Sequence, residues 1–202
     1  MSAKYNFTNY KEYIDNQITA TNKKFKKTWV ADETIFEISK YIKAHIPGYK
    51  SGICHGVRNG YEVQKFEEIL SCTVVGTDLY EKSKDIKNVF VWDFNKENKD
   101  FINSFDFVYS NSFDHSFYQE ETLKIWSKQI KSKGVLFLEW SDGHDYSDSI
   151  DMSVDCFLAN FNEYIEILKN DFIIMDILDI SNISNRSYKN CKIICCSPKT
   201  SR

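Results

Sequence analysis

The chain is poor in the residues that interrupt regular structure. Two prolines and seven glycines in 202 residues leave no Pro- or Gly-rich linker, which excludes a string of flexibly joined domains and a low-complexity protein. No stretch approaches 18 consecutive apolar residues, and the first residues lack the basic, apolar, small-residue order of a secretory leader. A cytoplasmic protein without membrane attachment is therefore expected. The six cysteines, Cys54, Cys72, Cys156, Cys191, Cys195 and Cys196, include no Cys-x-x-Cys pair. That removes dithiol redox chemistry and the common zinc ribbons, and reduced, buried thiols are expected. Net charge is also small: 26 basic against 29 acidic side chains leave −3, too little positive field for a general polyanion binder, so no stable nucleic-acid partner is expected. The densest basic run, Lys23 to Lys27, reads as a solvated face.

What is present suits one sizeable core. Hydrophobic residues make up 42% of the chain and aromatics 15%, enough for a single domain with at most a small extension. Residues 1 to about 30 are polar with short apolar clusters (Tyr10, Tyr13, Ile14), and irregular structure or a short docking helix is expected there. From Asp32 to His45, Ile35, Phe36, Ile38, Tyr41 and Ile42 recur near helical spacing, with Asp32 or Thr34 available as cap and Pro47-Gly48 as stop. Beyond residue 47, short β-like runs alternate with helical ones. Strands are predicted at 51–54, 72–78, 89–92, 105–110, 135–140, 172–180 and 192–196, and helices at 60–70, 120–131 and 156–168. This is an α/β pattern of a mostly parallel sheet with helices on both faces. The Ser- and Asn-rich segment between the last two strands carries no helical pattern, so they form an antiparallel C-terminal edge hairpin. The chain divides into a 1–47 extension and a 48–202 core.

Polar residues concentrate where these strands end. The first strand runs into Gly52-Ile53-Cys54-His55-Gly56-Val57-Arg58-Asn59-Gly60, a junction where glycines let backbone amides approach a ligand and a new helix offers unpaired N–H groups. Eighteen residues after Gly60 the second strand ends at Asp78, placed to accept hydrogen bonds from both hydroxyls of a ribose. The third ends at Trp92-Asp93-Phe94, where Asp93 can meet an adenine amino group. The fourth opens into Asn111-Ser112-Phe113-Asp114-His115, and the fifth into Ser141-Asp142-Gly143-His144. Such a density of hydrogen-bonding groups beyond buried strands points to a pocket. His115 is the first choice of general base, oriented by Asp114 or another carboxylate, and His144 is the second. Tyr146 to Asp155 lies over the same edge as a lid would. Asp114, Asp142 and His144 form a conceivable divalent-ion set, though the same side chains binding substrate without a metal are the preferred expectation.

Gly-Ile-Cys-His-Gly-Val-Arg-Asn-Gly-Tyr-Glu, Trp-Asp-Phe and Asp-Phe-Val-Tyr-Ser-Asn-Ser-Phe-Asp-His resemble strings in the class I S-adenosylmethionine-dependent methyltransferases, and in particular a bacterial and viral branch of them. The resemblance covers about residues 48 to 197. It implies a Rossmann-like seven-stranded sheet and S-adenosylmethionine as cofactor, with S-adenosylhomocysteine as product. It implies cofactor contacts from Gly52, Cys54, His55, Gly56, Arg58, Asn59, Gly60, Asp78, Leu79, Asp93, Phe94 and Asn111, and substrate contacts from Ser112, Asp142 and Tyr146. The usual acid and central glycine of the first motif are altered here, and Arg58 stands where a glycine is common, so the resemblance implies that Arg58 helps clamp the methionyl carboxylate. The Asn/Asp-Pro-Pro-Tyr/Phe motif of many DNA and protein amino-group enzymes is missing. The expected reaction is methyl transfer to a small acceptor, an oxygen of a sugar or nucleotide-linked sugar, by a monomer or homodimer. Two other readings stand beside it: an NAD-dependent oxidoreductase, which normally has a tighter Gly-x-Gly-x-x-Gly turn, and a non-catalytic nucleoside-ligand-binding or scaffold protein.

Overall fold

The computed structural model describes residues 3–4, 7–144, 155–181 and 190–199. In chain order the elements are β1 (Ala3–Lys4), α1 (Tyr10–Lys24), α2 (Asp32–His45), β2 (Ser51–His55), α3 (Tyr61–Leu70), β3 (Thr73–Asp78), β4 (Val89–Val91), β5 (Phe105–Ser110), α4 (Gln119–Gln129), β6 (Ile130–Ser141), β7 (Phe157–Leu158), α5 (Phe161–Leu168), β8 (Phe172–Asp179) and β9 (Cys191–Pro198). Seven strands form one sheet in the order β4-β3-β2-β5-β6-β9-β8. β2 to β6 run parallel, and β9 is antiparallel to both β6 and β8. The expected sheet, with its antiparallel C-terminal edge, is therefore the observed one.

Side-chain alternation along the strands divides the core in two. Cys54, Phe107, Tyr109, Phe137, Ile193 and Cys195 face α2 and α3, which contribute Ile35, Ile38, Ile42, Val63 and Phe66. Ile53, Val108, Leu136, Leu138 and Ile194 face α4 and α5, which contribute Leu123, Trp126, Tyr164 and Leu168. The helix ahead of residue 47 thus packs into the main core. All six cysteines are free, and five of them are buried. Among the described residues no helix is long and apolar enough to cross a membrane.

Three elements differ from expectation, each for a local reason. Residues 10–24 form a 15-residue helix, capped by the Asn9 side chain, which accepts from Glu12 N at 3.0 Å. The helix expected over 156–168 begins only at Phe161, because Asn160 and Glu163 close a reciprocal capping box. Phe157 and Leu158 instead pair with Lys4 and Ala3. β6 starts at Ile130, five residues earlier than expected, with no loop after α4. The last helical carbonyls, Lys128 O and Gln129 O, accept from Asn103 N at 2.8 Å and Ser104 N at 3.0 Å, so the helix end is satisfied from outside and the chain can enter the strand at once. β3 and β4 are each followed by a short 3₁₀ turn, Glu81–Asp85 and Lys99–Phe101, and no helix is predicted over either stretch.

Gly52 lies in β2 opposite Phe107 of β5, and a Cβ there would meet the Phe107 ring at 2.1 Å. Its lack of a side chain serves packing of the sheet. Gly52→Ala is expected to destabilise the fold by about 1–3 kcal/mol, the usual range for overpacking a filled core. The check is the shift in urea midpoint, which Phe107→Leu in the same chain should partly restore.

Candidate functional site

The strand order reverses between β2 and β5, and the cleft opens beyond the C-terminal ends of these strands, as expected of a doubly wound sheet. Its floor is the loop after β2. Gly56, Arg58 and Gly60 all take positive φ, at 77°, 46° and 72°. A Cβ on Gly56 would stand 2.6 Å from that of Ser112, so only glycine lets the two loops close up at the switch point. Asp78, at the end of β3, holds the turn: one carboxylate oxygen accepts from Arg58 N at 2.7 Å, the other from Tyr80 N at 2.9 Å. Burial pushes the Asp78 carboxyl up, against the pull of these two N–H groups and of the Arg58 and His115 charges.

Gly56, Arg58, Asp78, Leu79, Phe94, Ser112 and His115 line the cleft together, seven residues singled out from the sequence. The other wall is α1, through Tyr13, Gln17, Ala20, Thr21 and Lys24. The cleft encloses about 570 Å³ when its open mouth is counted. Sequence reasoning missed the α1 wall. Its signal is the spacing 10, 13, 17, 20, 21, 24, one helical face, disguised because Gln17, Thr21 and Lys24 are polar. The helix is seated by Tyr13, fully buried with Phe117 and Cys156, and by hydrogen bonds from Asn95 Nδ2 to Tyr13 OH at 3.0 Å, from Tyr10 OH to Asp93 and from Tyr80 OH to Asn22.

The remaining candidates lie elsewhere. Gly52 and Cys54 sit inside the sheet, and Cys54 is fully buried in the α2–α3 core. His55 points to the opposite face. Its ring stacks on Trp126 at 4.8 Å, with Nδ1 2.8 Å from Thr77 Oγ1 and Nε2 2.8 Å from Gln129 Oε1. The Gln129 carbonyl selects the Nε2–H tautomer, and Thr77 then donates to Nδ1. A Cβ on Gly60 would meet Ile86 at 2.7 Å. Asn59 points toward Lys27 and Thr28. The Asp93 carboxylate accepts from Tyr10 and from Asn95 N and Nδ2. Asp142 accepts from Asn190 N at 3.2 Å. The residues that do gather are Asp114, His115 and Asp155. The His144 side chain and Tyr146 lie outside the described residues. Beneath the loop, the Glu62 carboxyl is buried beside the Asn111 side chain, whose hydrogen bond favours its charged form.

Compared by sequence, the chain matches no family model and no curated protein. Compared by structure, it is similar to several methyltransferases. A 1,6-didemethyltoxoflavin-N1-methyltransferase of Burkholderia thailandensis, solved with 1,6-didemethyltoxoflavin and S-adenosylhomocysteine, aligns with a TM-score of 0.75 at 12% identity, over 98% of this chain and 94% of that one. The N-methyltransferase NodS of Bradyrhizobium japonicum WM9, solved with S-adenosylhomocysteine, gives 0.65 at 11% identity over 93% and 100%. The CurJ carbon methyltransferase gives 0.65 at 14% over 91% of this chain and 58% of that one. At these identities the likeness is one of fold: a class I methyltransferase fold.

Two buried groups give opposite pH slopes. Burial pushes His55 down from 6.5 to about 4, so below 6.5 the unfolded chain takes up a proton that the native state refuses, and stability falls with falling pH. Burial, with Glu139 nearby, pushes Glu62 up from 4.5 to about 7. Between those values the native state keeps a proton that the unfolded chain releases, and stability falls with rising pH. Across the shared window the slopes oppose each other. Glu62→Gln is expected to unmask a rise of about 1.4 kcal/mol per pH unit, read from urea midpoints across that window, and His55→Gln the reverse slope.

Proposed function

We propose that the chain is an S-adenosylmethionine-dependent methyltransferase that methylates an oxygen of a small polyhydroxylated acceptor, a sugar or nucleotide-linked sugar. The observation that carries the reading is the joining of the left-handed loop after β2 to Asp78 at the mouth of a cleft at the switch point. The fit is chemical as well as topological. A carboxylate has about four lone-pair sites, so Asp78 can hold its two backbone amides and still accept from ribose hydroxyls. Gly56 lines the cleft and lets the loop carrying Ser112 close against it. Leu79 and Phe94 offer apolar sides for an adenine, and Arg58 a cation for a carboxylate. The turn has no Gly-x-Gly-x-x-Gly cradle for a pyrophosphate, which argues against a dinucleotide.

Bound there, the cofactor would supply an electrophilic methyl group on sulfonium. The chain's own part is to align an acceptor and remove its proton. The structural neighbours named above include nitrogen and carbon methyltransferases, so the choice of oxygen rests on this cleft. A hydroxyl needs a base where a neutral amine does not, and His115 lines the wall next to Ser112. Gln17, Thr21 and Lys24 on α1 provide hydrogen-bonding groups and a cation that suit a polyhydroxylated, negatively charged acceptor.

Calorimetric titration is expected to show S-adenosylhomocysteine binding, weakened by about tenfold or more in Asp78→Ala, the loss of a charge-assisted hydrogen bond. Preferential binding of NAD would overturn the reading. His115→Asn is expected to slow methyl transfer by about 10²–10⁴-fold, the worth of a general base, with cofactor affinity preserved. The acceptor is to be sought by single-turnover transfer of labelled methyl to a panel of activated sugars.

A further inference from the structure

Asp114, His115 and Asp155 converge at the cleft wall, where one ligand atom from each lies within 4.8 Å of the others. All three side chains are largely withdrawn from solvent, with 7% of Asp114, 17% of Asp155 and 27% of His115 exposed. His115 Nδ1 is buried without a hydrogen-bond partner. Asp155 Oδ1 stands 3.4 Å from it, beyond the usual hydrogen-bond span. A buried ring nitrogen left in this way points to a water or an ion that the chain does not itself supply, and two carboxylates beside it favour a cation. Their charges bear on one spot: burial first, and then Asp114 and Asp155 together, push up both the Cys156 thiol and the Tyr164 hydroxyl. The backbone holds the arrangement. Cys156 N donates to Asp114 O at 2.7 Å, and the Cys156 side chain is buried with Tyr13 and Phe117, so Asp155 is fastened to the turn that carries the other two.

We infer that Asp114, His115 and Asp155 form a site for one divalent transition-metal ion, of the Zn²⁺ or Co²⁺ class, and that the bound ion silences the cleft. With ligands about 2.1 Å from a metal, neighbouring ligand atoms stand about 3.0–3.4 Å apart and opposite ones about 4.2 Å. The 3.4 Å between Asp155 Oδ1 and His115 Nδ1 is that of neighbouring ligands, and the 4.8 Å bound on the whole set leaves Asp114 a side-chain rotation away. An imidazole nitrogen among the donors selects this class over Mg²⁺ and Ca²⁺, which take oxygen. The silencing rests on the methyltransferase reading. A metal takes the lone pair of one ring nitrogen, and the other nitrogen then carries the proton. His115 is left with no lone pair to receive a proton from an acceptor hydroxyl, so the metal-free chain is the active form.

The test uses the untagged full chain at about pH 7.5, where a free imidazole is mostly neutral, with Co²⁺ as the probe and Zn²⁺ as its competitor. Co²⁺ should bind in a single equivalent, with the visible absorption of nitrogen and oxygen ligation, and Zn²⁺ should displace it. Asp155→Asn and His115→Gln, which nearly keep side-chain size, should each weaken binding by about tenfold or more, since even a group that only orients a ligand is worth about 10–100-fold. His45→Gln, at the exposed end of α2, should leave it unchanged. Zn²⁺ should suppress single-turnover methyl transfer and a chelator should restore it. The Zn²⁺ concentration that halves the rate should rise by about tenfold or more in Asp155→Asn, measured against that variant's own metal-free rate. Absence of Co²⁺ binding, a thiolate charge-transfer band that assigns the ion to cysteine, or binding unmoved by both variants overturns the site. Stimulation of transfer by the ion overturns the silencing. Failure of S-adenosylhomocysteine to bind would overturn the methyltransferase reading instead, and the Co²⁺ titration would still read the site.

Discussion

The cleft depends on one buried carboxylate that keeps a reluctant turn closed. Arg58 sits in left-handed backbone, at φ 46°, a conformation that costs a residue with a Cβ about 1–2 kcal/mol. Its N–H donates to Asp78 at 2.7 Å, and a hydrogen bond to a charged group contributes about 1.5–3 kcal/mol, enough to offset the strain. Asp78 itself is pinned at the end of β3 by the pairing of β3 with β2 and β4. The parallel sheet thus sets the carboxylate, the carboxylate sets the loop, and the loop with its bare Gly56 sets the shape of the cleft. In the proposed function the same side chain receives the cofactor's ribose, so binding and loop conformation are one variable.

The parallel sheet was legible because its strands are short apolar runs, several of them separated by helical periods. The strand-end residues Asp78, Ser112 and His115 were legible for the same reason, since a polar residue following a buried strand stands at the sheet's edge. Periodicity is blind to what a loop residue faces, and His55 shows this. It sits inside the glycine-rich string, yet the pleat directs it to the far side of the sheet, under Trp126. Gly52 belongs to the same string and answers to Phe107.

Helix α1 was hidden by its composition. A helix whose inner face lines a polar cleft must carry polar residues there, so the apolar stripe that normally betrays a helix is broken by Gln17, Thr21 and Lys24. Its attachment is built from aromatic contacts, Tyr10 and Tyr13 against Phe117, and from phenol hydroxyls reaching distant partners, none of which leaves a local signature. Asp155 escaped for a related reason: its place is set by Cys156 N bonding to Asp114 O, a long-range backbone contact.

The direction of β9 has a practical side. Because β9 runs opposite to β6, its last residues lie at the end of the sheet away from the cleft, while α1 forms one wall of the cleft. A fusion partner or surface linker attached after residue 199 therefore points away from the cleft mouth, whereas the same handle placed ahead of residue 10 would crowd it. For immobilised binding assays on this chain, the choice of attachment end is itself an experimental variable.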